Sequence, residues 1–255
     1  MQSSNKLKCQ VTPEDQLSVL RAAYTLLQAG IPHVVWGEYA MAIAHCVPIG
    51  HGFFDLQLLV SPYDIVQAAH LICLKHPYTQ VDIREAEYWP GDPKYFKPSS
   101  TVLLRHQDNP NCYDTNEPPN IYLHTASAFH FDSQDPTVIT SDPNPLDESS
   151  RQLLYPSLPA FCNAIIDTIH EPPLPFYHHI FYWRWLGKLD SLCGYTVGVN
   201  RFTKKKGKLI GSCEWLLQAV KEENRPFLSR LLLDLRFLPL QTSAFERILI
   251  KDARW

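Results

Sequence analysis

The sequence predicts an α/β fold in which a mixed sheet forms in the first part of the chain and helices dominate the second part. Up to about residue 140, segments with helical apolar spacing alternate with short apolar segments that have strand character. From residue 151 onward the apolar spacing is mostly helical. A polar, proline-containing segment, SDPNPLDESS (141–150), separates the two parts. We therefore predict an α/β core over residues 1–150 and a mostly helical region over residues 151–255.

The first predicted helix covers residues 12–30. It begins with Thr12 as N-cap, a proline at the first helical position and two acids in the first turn, and it ends at Gly30. Short segments rich in apolar and aromatic residues predict the strands 31–37, 53–60, 79–89, 100–107, 120–126 and 136–141. Helical apolar spacing predicts the helices 38–45, 61–77 (with Ser61 as N-cap), 151–169, 173–195, 213–224 and 225–239.

The order of these elements predicts how two acidic residues are placed. We expect the first two strands, 31–37 and 53–60, to run parallel, because a helix between two strands usually makes a right-handed crossover. Glu38 follows the first strand directly, and Asp55 lies within the second. The two carboxylates are therefore expected to face one cleft, at the carboxyl ends or the middle of core strands, where α/β folds bind ligands.

Composition excludes several classes of protein. The 255 residues carry a net charge of −3, so DNA is not an expected partner and any RNA binding would need a local basic patch. The seven cysteines form no C-x-x-C pair, which favours a reducing, cytoplasmic environment without structural zinc. No apolar segment is long enough for a membrane helix. Zinc-protease spacing, a P-loop and a G-x-S-x-G motif are all absent, so no metal or cofactor is expected.

Residues 34–60, VVWGEYAMAIAHCVPIGHGFFDLQLLV, carry the pattern strand, glycine turn, small-residue helix, strand. This pattern resembles the core of the polymerase-beta-type nucleotidyltransferases, over roughly residues 13–140. In that family a Gly-Gly or Gly-Ser turn precedes the helix, the second strand carries Asp-x-Asp or Asp-x-Glu, and a later strand supplies a third acid. This chain instead has Glu38 in the glycine turn and Gln57 two residues after Asp55, and strands 100–107 and 120–126 contain no acid.

These departures predict a loss of ordinary nucleotide transfer. Two-metal phosphoryl transfer requires carboxylates that hold two Mg²⁺ ions about 4 Å apart. The amide of Gln57 is a poor replacement for a bridging carboxylate, because Mg²⁺ prefers hard anionic oxygen. Glu38 places a negative charge where the backbone amides of this turn would otherwise receive a phosphate. The resemblance therefore implies a nucleotidyltransferase-like mixed sheet that has lost the family's metal site.

The segments GIPHVVWGE, CVPIG and FDLQLLV also resemble degenerate nucleotidyltransferase-like proteins of fungi. That group is similar to the fungal synthases of arginine-containing cyclodipeptides, which use aminoacyl-tRNAs as substrates. The resemblance implies a tRNA-dependent acyl transferase of secondary metabolism. Such an enzyme needs neither a metal nor ATP, because the aminoacyl ester is already activated.

Five residues around the glycine turn are the candidate site. Glu38 and Asp55 are the candidate catalytic residues, and Trp36, Gly37 and Gln57 are candidates for binding substrate. Each has a structural alternative. An acid at the start of a helix can simply interact with the helix dipole, and an acid among apolar residues can belong to a structural ion pair. A tryptophan in a short apolar strand can belong to the core.

A second candidate region is TKKKGK (203–208), the only dense basic segment of the chain. We predict that it contacts the phosphate backbone of tRNA, and the alternative is a solvated loop. The candidate tRNA-binding residues are Arg201, Lys204, Lys205, Lys206 and Lys208. The aromatic segment 177–185 is expected to be mostly core, although His178 or His179 could act as a base.

Three functional hypotheses follow from the sequence. The leading one is an enzyme that joins aminoacyl groups from aminoacyl-tRNAs into a peptide or cyclodipeptide. The second is a residual nucleotidyltransferase or nucleotide-binding protein. The third is a non-catalytic interaction protein that retains a degenerate nucleotidyltransferase fold. Bound tRNA would favour the first hypothesis, bound nucleotide the second, and neither ligand the third.

Overall fold

The structure is a computed structural model that describes residues 12–47, 55–83, 100–107, 117–142, 145, 148, 152–171, 179–196 and 212–234. The strands are β1 (His33–Trp36), β2 (Leu56–Val60), β3 (Tyr78–Val81), β4 (Thr101–His106), β5 (Asn120–Thr125), β6 (Ile139–Ser141) and β7 (Leu154–Pro156). The α-helices are α1 (Pro13–Val19), α2 (Arg21–Gln28), α3 (Gly37–His45), α4 (Ile65–Lys75), α5 (Leu158–His170), α6 (His179–Thr196), α7 (Ser212–Ala219) and α8 (Arg225–Asp234). Short 3₁₀ helices cover Ala126–Phe129 and Glu222–Asn224.

The five-stranded sheet has the strand order β1-β2-β5-β4-β3, and β6 and β7 form a separate two-stranded sheet. β2 and β5 run parallel, and the other neighbouring strands of the large sheet run antiparallel. The predicted α/β fold with a mixed sheet is confirmed. None of the helices within the described ranges is long and apolar enough to cross a membrane.

The expectation that the first two strands run parallel is wrong, because β1 and β2 pair antiparallel, with Trp36 opposite Gln57. Gly37 adopts a left-handed conformation, with φ at 67°, and turns the chain directly from β1 into α3. By Asp55 the chain has returned to the edge of the sheet that it left, and β2 then runs back alongside β1. The glycine turn therefore leads into an antiparallel pair and not into a crossover.

The predicted helix over residues 12–30 is two helices. Thr12 caps the first, with its Oγ1 accepting a hydrogen bond of 3.1 Å from the backbone N–H of Asp15. Leu20 leaves the helical conformation between α1 and α2, and Gly30 ends the segment with φ at 69°. The cap predicted at Ser61 is also wrong. Ser61 Oγ accepts a hydrogen bond from the N–H of Tyr63, and α4 begins only at Ile65.

The segment 151–169 was predicted to be helical throughout, but its first part forms β7. This strand pairs with the predicted strand β6 and lies beside β1. Tyr155 at its centre is fully buried, so the packing of this side chain, together with the pairing to β6, holds three residues in an extended conformation. The helix α5 then begins at Leu158, with a proline in its first turn.

The two faces of the large sheet have different covers. Helices α2 and α4 pack against the face that carries Tyr78 and His106. The opposite face packs against aromatic residues that follow β5 and against α5, as shown by the contacts of Trp36 with Phe129 and Phe161. The buried core is therefore continuous across residue 150, and it joins the two regions predicted from the sequence.

Buried histidines should make the protein less stable in mild acid. Burial lowers the pKa of His124 to about 3 and that of His45 to about 4. The unfolded chain, with histidine pKa values near 6.5, therefore binds protons before the folded chain does as the pH falls. Each such histidine lowers the free energy of unfolding by up to about 1.4 kcal/mol per pH unit. Asp190 has the opposite effect on the free energy of unfolding. Burial raises its pKa to about 6, so the folded chain binds this proton before the unfolded chain does.

We expect urea unfolding at pH 5 to give a lower free energy of unfolding than at pH 7.5. The pH dependence should be weaker in the variant His124→Gln, which lacks one of the depressed groups. Equal or greater stability at pH 5 would contradict the neutral, buried state of these histidines.

Candidate functional site

Four strand ends meet at one edge of the five-stranded sheet. The carboxyl ends of β1 and β4 lie beside the amino ends of β2 and β5, because these neighbouring strands are antiparallel. The register places Trp36 opposite Gln57 and Gln57 beside Tyr122, so these three side chains lie on the same face. We call this side of the sheet the site face, and the edge formed by these strand ends the site edge.

Glu38 lies at the site edge, in the first turn of α3, and both of its carboxylate oxygens have partners. Lys188 of α6 places its Nζ 3.1 Å from Glu38 Oε1. The amide of Gln57 donates a hydrogen bond of 3.3 Å to Glu38 Oε2. The side chains of Lys188 and Glu38 are only 11% and 14% exposed. The result is an ion pair that is largely shielded from water.

Lys188 is also held by an aromatic ring. Its Nζ lies 4.7 Å from the centre of the ring of Trp185, one turn earlier on α6. Such a contact stabilises a lysine cation by about 0.5–2 kcal/mol. Trp185 in turn packs against Phe129, with 5.3 Å between the ring centres. The ammonium group is therefore positioned by the core and does not lie on a mobile surface side chain.

Asp55 lies at the site edge, directly before β2 and two residues before Gln57. The amide of Asn120, the first residue of β5, donates a hydrogen bond of 2.9 Å to Asp55 Oδ1. Asp55 precedes β2, so the expectation that it lies in the middle or at the carboxyl end of a strand is wrong. β5 is the parallel neighbour of β2, and it places the neutral amide of Asn120 beside Asp55.

Glu38 and Asp55 lie on the same face of the sheet for a reason other than the one expected, and their sharing of one cleft stays a prediction. Gln57 contacts Glu38, and Asp55 is two residues before Gln57 along β2. Side chains two residues apart in an extended segment point to the same face, about 7 Å apart. The antiparallel pairing of β1 with β2, not a crossover, therefore brings both acids to the site face.

A neutral histidine lies deeper on the site face. His124 is 1% exposed, and its Nδ1 is 2.9 Å from Thr101 Oγ1 on β4. Burial, with a smaller contribution from the nearby Lys188 cation, lowers the pKa of His124 to about 3. At neutral pH His124 is therefore uncharged. Its role beside the ion pair is structural and not that of a proton donor.

Trp36 belongs to the core, which is one of the two roles that the sequence left open. Its side chain is fully buried. The ring centres of Phe161, Phe131 and Phe129 lie 4.6, 5.2 and 5.3 Å from it. This placement leaves no part of the ring exposed for the substrate contact predicted from the sequence. Trp36 instead anchors the end of β1, directly before the turn at Gly37, in the core.

Gly37 is required by its conformation and by its neighbour. Its φ is 67°, a region that L side chains rarely adopt, and a Cβ atom there would lie 2.9 Å from the side chain of Gln57. The absent side chain lets Gln57 reach across the turn to Glu38. Gly37 and Gln57 thus shape the site, and a direct contact of either residue with substrate stays a prediction.

Replacing Gly37 with alanine should destabilise the protein more than replacing Gly30. Both residues have φ near 68°, but a Cβ at Gly30 meets nothing within 4 Å. Gly30→Ala should cost about 1 kcal/mol for the conformation alone, and Gly37→Ala about 1 kcal/mol more, because the end of the Gln57 side chain has to move and gives up its hydrogen bond to Glu38. The measurement is the free energy of unfolding in urea. Adding Gln57→Ala should recover part of the loss at Gly37 only; equal costs at both glycines would show that the close approach to Gln57 is unimportant.

Sequence reasoning did not identify Lys188 or Asn120. Lys188 lies 150 residues from Glu38 on a helix whose pattern gives no sign of a site. Asn120 could have been found, because it begins a predicted strand with a polar residue. The basic residues Arg201, Lys204, Lys205, Lys206 and Lys208 lie outside the described residues, as does His178. Among the residues that the structure describes, no group of three His, Cys, Asp or Glu side chains could hold a metal ion.

Comparisons with models of known protein families, with curated proteins and with solved structures found no match to this chain.

Proposed function

We propose that this chain is a nucleotidyltransferase-like protein that has become an aminoacyl transferase, forming a dipeptide or cyclodipeptide from aminoacyl-tRNA. The observation that supports this most is the Glu38–Lys188 pair. A carboxylate and an ammonium group lie 3.1 Å apart at the site edge, largely shielded from water. Such a pair supplies both a proton acceptor and a cation, which are the two groups that acyl transfer to an amine needs.

The proposed reaction begins with the α-ammonium group of one aminoacyl residue. Glu38 accepts a proton from it, and the resulting amine attacks the carbonyl carbon of a second aminoacyl ester. The new C–N bond forms, the attacking nitrogen releases its second proton to solvent, and the Lys188 ammonium stabilises the negative oxygen of the tetrahedral intermediate. The ester C–O bond then breaks, and the leaving ribose oxygen takes a proton from Lys188. Transfer of the proton from Glu38 to Lys188 restores the pair and leaves a dipeptidyl ester on the first tRNA. Attack of the terminal amine of this dipeptide on the remaining ester carbonyl, with the same proton transfers, releases the cyclodipeptide and the first tRNA.

The polar groups around the two acids fit this chemistry better than phosphoryl transfer. Gln57 and Asn120 place neutral amides beside Glu38 and Asp55, where a two-metal site would need further carboxylates. Asp55 keeps a carboxylate near the exposed end of the site face, and this group could hold a cationic amine or guanidinium through charge-assisted hydrogen bonds. An aminoacyl ester is already activated, so the proposed reaction consumes no ATP.

The basic segment 203–208 completes the proposal as the contact for tRNA. Changing Lys204, Lys205 and Lys206 to alanine should flatten the salt dependence of tRNA binding by roughly two to three units of the log–log slope. Filter binding of aminoacyl-tRNA at several salt concentrations measures this slope. The thermal unfolding temperature should change little, because the segment TKKKGK contains no apolar side chain whose packing the substitutions would remove. An unchanged slope and affinity would remove these lysines from the tRNA contact.

Mass spectrometry of a heterologous host that expresses the chain tests the proposed function. At matched amounts of the two proteins, cells with the wild-type chain should contain a dipeptide or cyclodipeptide that cells with Glu38→Gln lack. Identical small-molecule profiles would count against acyl transfer. A nucleotide retained by the purified chain would instead favour the residual nucleotide-binding protein.

A further inference from the structure

Arg105 extends the row of polar side chains that begins with Asp55. Arg105 of β4 is paired with Asn120 of β5, and Asn120 donates its hydrogen bond to Asp55. Directly paired residues project to the same side of a sheet. The site edge therefore carries a carboxylate, an amide and a guanidinium in sequence across three adjacent strands. Because strands lie about 4.8 Å apart, the Cα atoms of Asp55 and Arg105 are about 10 Å apart.

The guanidinium of Arg105 is not neutralised within the described part of the chain. Arg105 is half-buried, and no salt bridge joins it to another described residue. Glu117, which contacts His106 at the end of β4, is also paired with Arg21, on the opposite face of the sheet. A partly buried cation without a counter-ion is costly, so this position favours an anionic ligand.

The row is open to solvent on its outer side. Thr79 of β3, paired with Arg105, is exposed, and Asn120 is half-buried. In contrast, Thr101 and His124 at the other end of the site face are buried. Asn120 uses one of its two amide hydrogens for Asp55, which leaves the second for a ligand. A guanidinium and an amide N–H can thus point to one anion that enters from solvent.

We propose that Arg105 and Asn120 bind a phosphate group, namely the 5′-phosphate of the 3′-terminal nucleotide of the aminoacyl-tRNA. Arginine binds phosphate oxygens through two parallel hydrogen bonds, which suits a planar guanidinium at a fixed strand position. Asp55, at the other end of the row, then faces the cationic amine of the aminoacyl group. The row thereby orients the acyl ester toward Glu38 and Lys188. This assignment to tRNA rests on the proposed function, whereas phosphate binding itself does not.

The test compares AMP with adenosine as ligands of the purified chain, by isothermal titration at fixed ionic strength. AMP is the smallest mimic of the terminal nucleotide, and adenosine differs from it only in the phosphate. The wild-type chain should bind AMP at least about tenfold more tightly than adenosine. Arg105→Gln should bind both equally, and Arg105→Lys should keep part of the preference, because it retains the charge without the paired hydrogen bonds.

Arg230→Gln is the matched control, since it removes an exposed arginine of α8, and it should keep the full preference for AMP. Equal binding of AMP and adenosine by the wild-type chain, or binding of neither, would overturn the phosphate site. An unchanged preference in Arg105→Gln would overturn the role of Arg105. A preference for AMP in a chain that makes no dipeptide would keep the phosphate site and remove acyl transfer, so the two proposals fail separately.

Discussion

Replacing Lys188 with methionine should lower the rate of dipeptide formation by about a hundredfold or more. The ammonium group of Lys188 contacts Glu38, and in the proposed reaction it stabilises the negative oxygen of the intermediate. Removal of one such donor typically costs about 10² to 10³ in rate. The measurement is the initial rate with purified aminoacyl-tRNA, taken at saturating and at limiting substrate. The loss should fall on kcat and not only on KM.

A second variant separates catalysis from stability. Lys188→Met leaves the charge of Glu38 without its ion-pair partner in a largely shielded position, so this variant should also be less stable. Combining Lys188→Met with Glu38→Gln should restore stability but not activity. Lys75→Met, at the exposed end of α4, is the matched control and should change neither. Activity that returned together with stability in the double variant would give the pair a purely structural role.

Replacing Trp36 with alanine should destabilise the protein by about 3–5 kcal/mol, the cost of removing a large side chain from a close-packed core. Trp36 is fully buried and contacts three phenylalanine rings. Urea unfolding provides the measurement. Trp36→Phe should lose less, because it keeps part of the ring contacts. Trp215→Ala, which changes a tryptophan that is 46% exposed, should cost much less. A loss below about 1 kcal/mol for Trp36→Ala would contradict its place in the core.

Local signals in the sequence predicted most of the elements of the large sheet. The strand before Gly37, the small-residue α3 and the apolar β2 all follow from side-chain type and spacing. β7 was missed because three residues are too few for a periodic pattern, and its pairing with β6 is a tertiary effect. The direction of β2 relative to β1 was missed for a similar reason. It depends on the edge at which the chain re-enters the sheet after α3, and the spacing of residues within α3 or β2 does not specify that edge.

The candidate site was predictable only where its residues are close in sequence. Asp55 and Gln57 lie on the same face because side chains alternate along an extended segment. Glu38 joins them through its contact with Gln57. The partners that define the chemistry, Lys188 and Asn120, come from a distant helix and a distant strand. The contacts of these two residues with Glu38 and Asp55 depend on how the layers of the fold pack. The spacing of residues within either element does not predict that packing.

The reaction of the purified chain with aminoacyl-tRNA, followed by mass spectrometry without added ATP, tests the central claim most directly. The claim is that the Glu38–Lys188 pair carries acyl transfer at a site derived from a nucleotidyltransferase-like fold. We expect a dipeptide or cyclodipeptide that appears with wild-type protein, depends on the aminoacyl ester, and is lost in both Glu38→Gln and Lys188→Met. Absence of any dipeptide with the full set of aminoacyl-tRNAs, or equal yield from both variants, would contradict it.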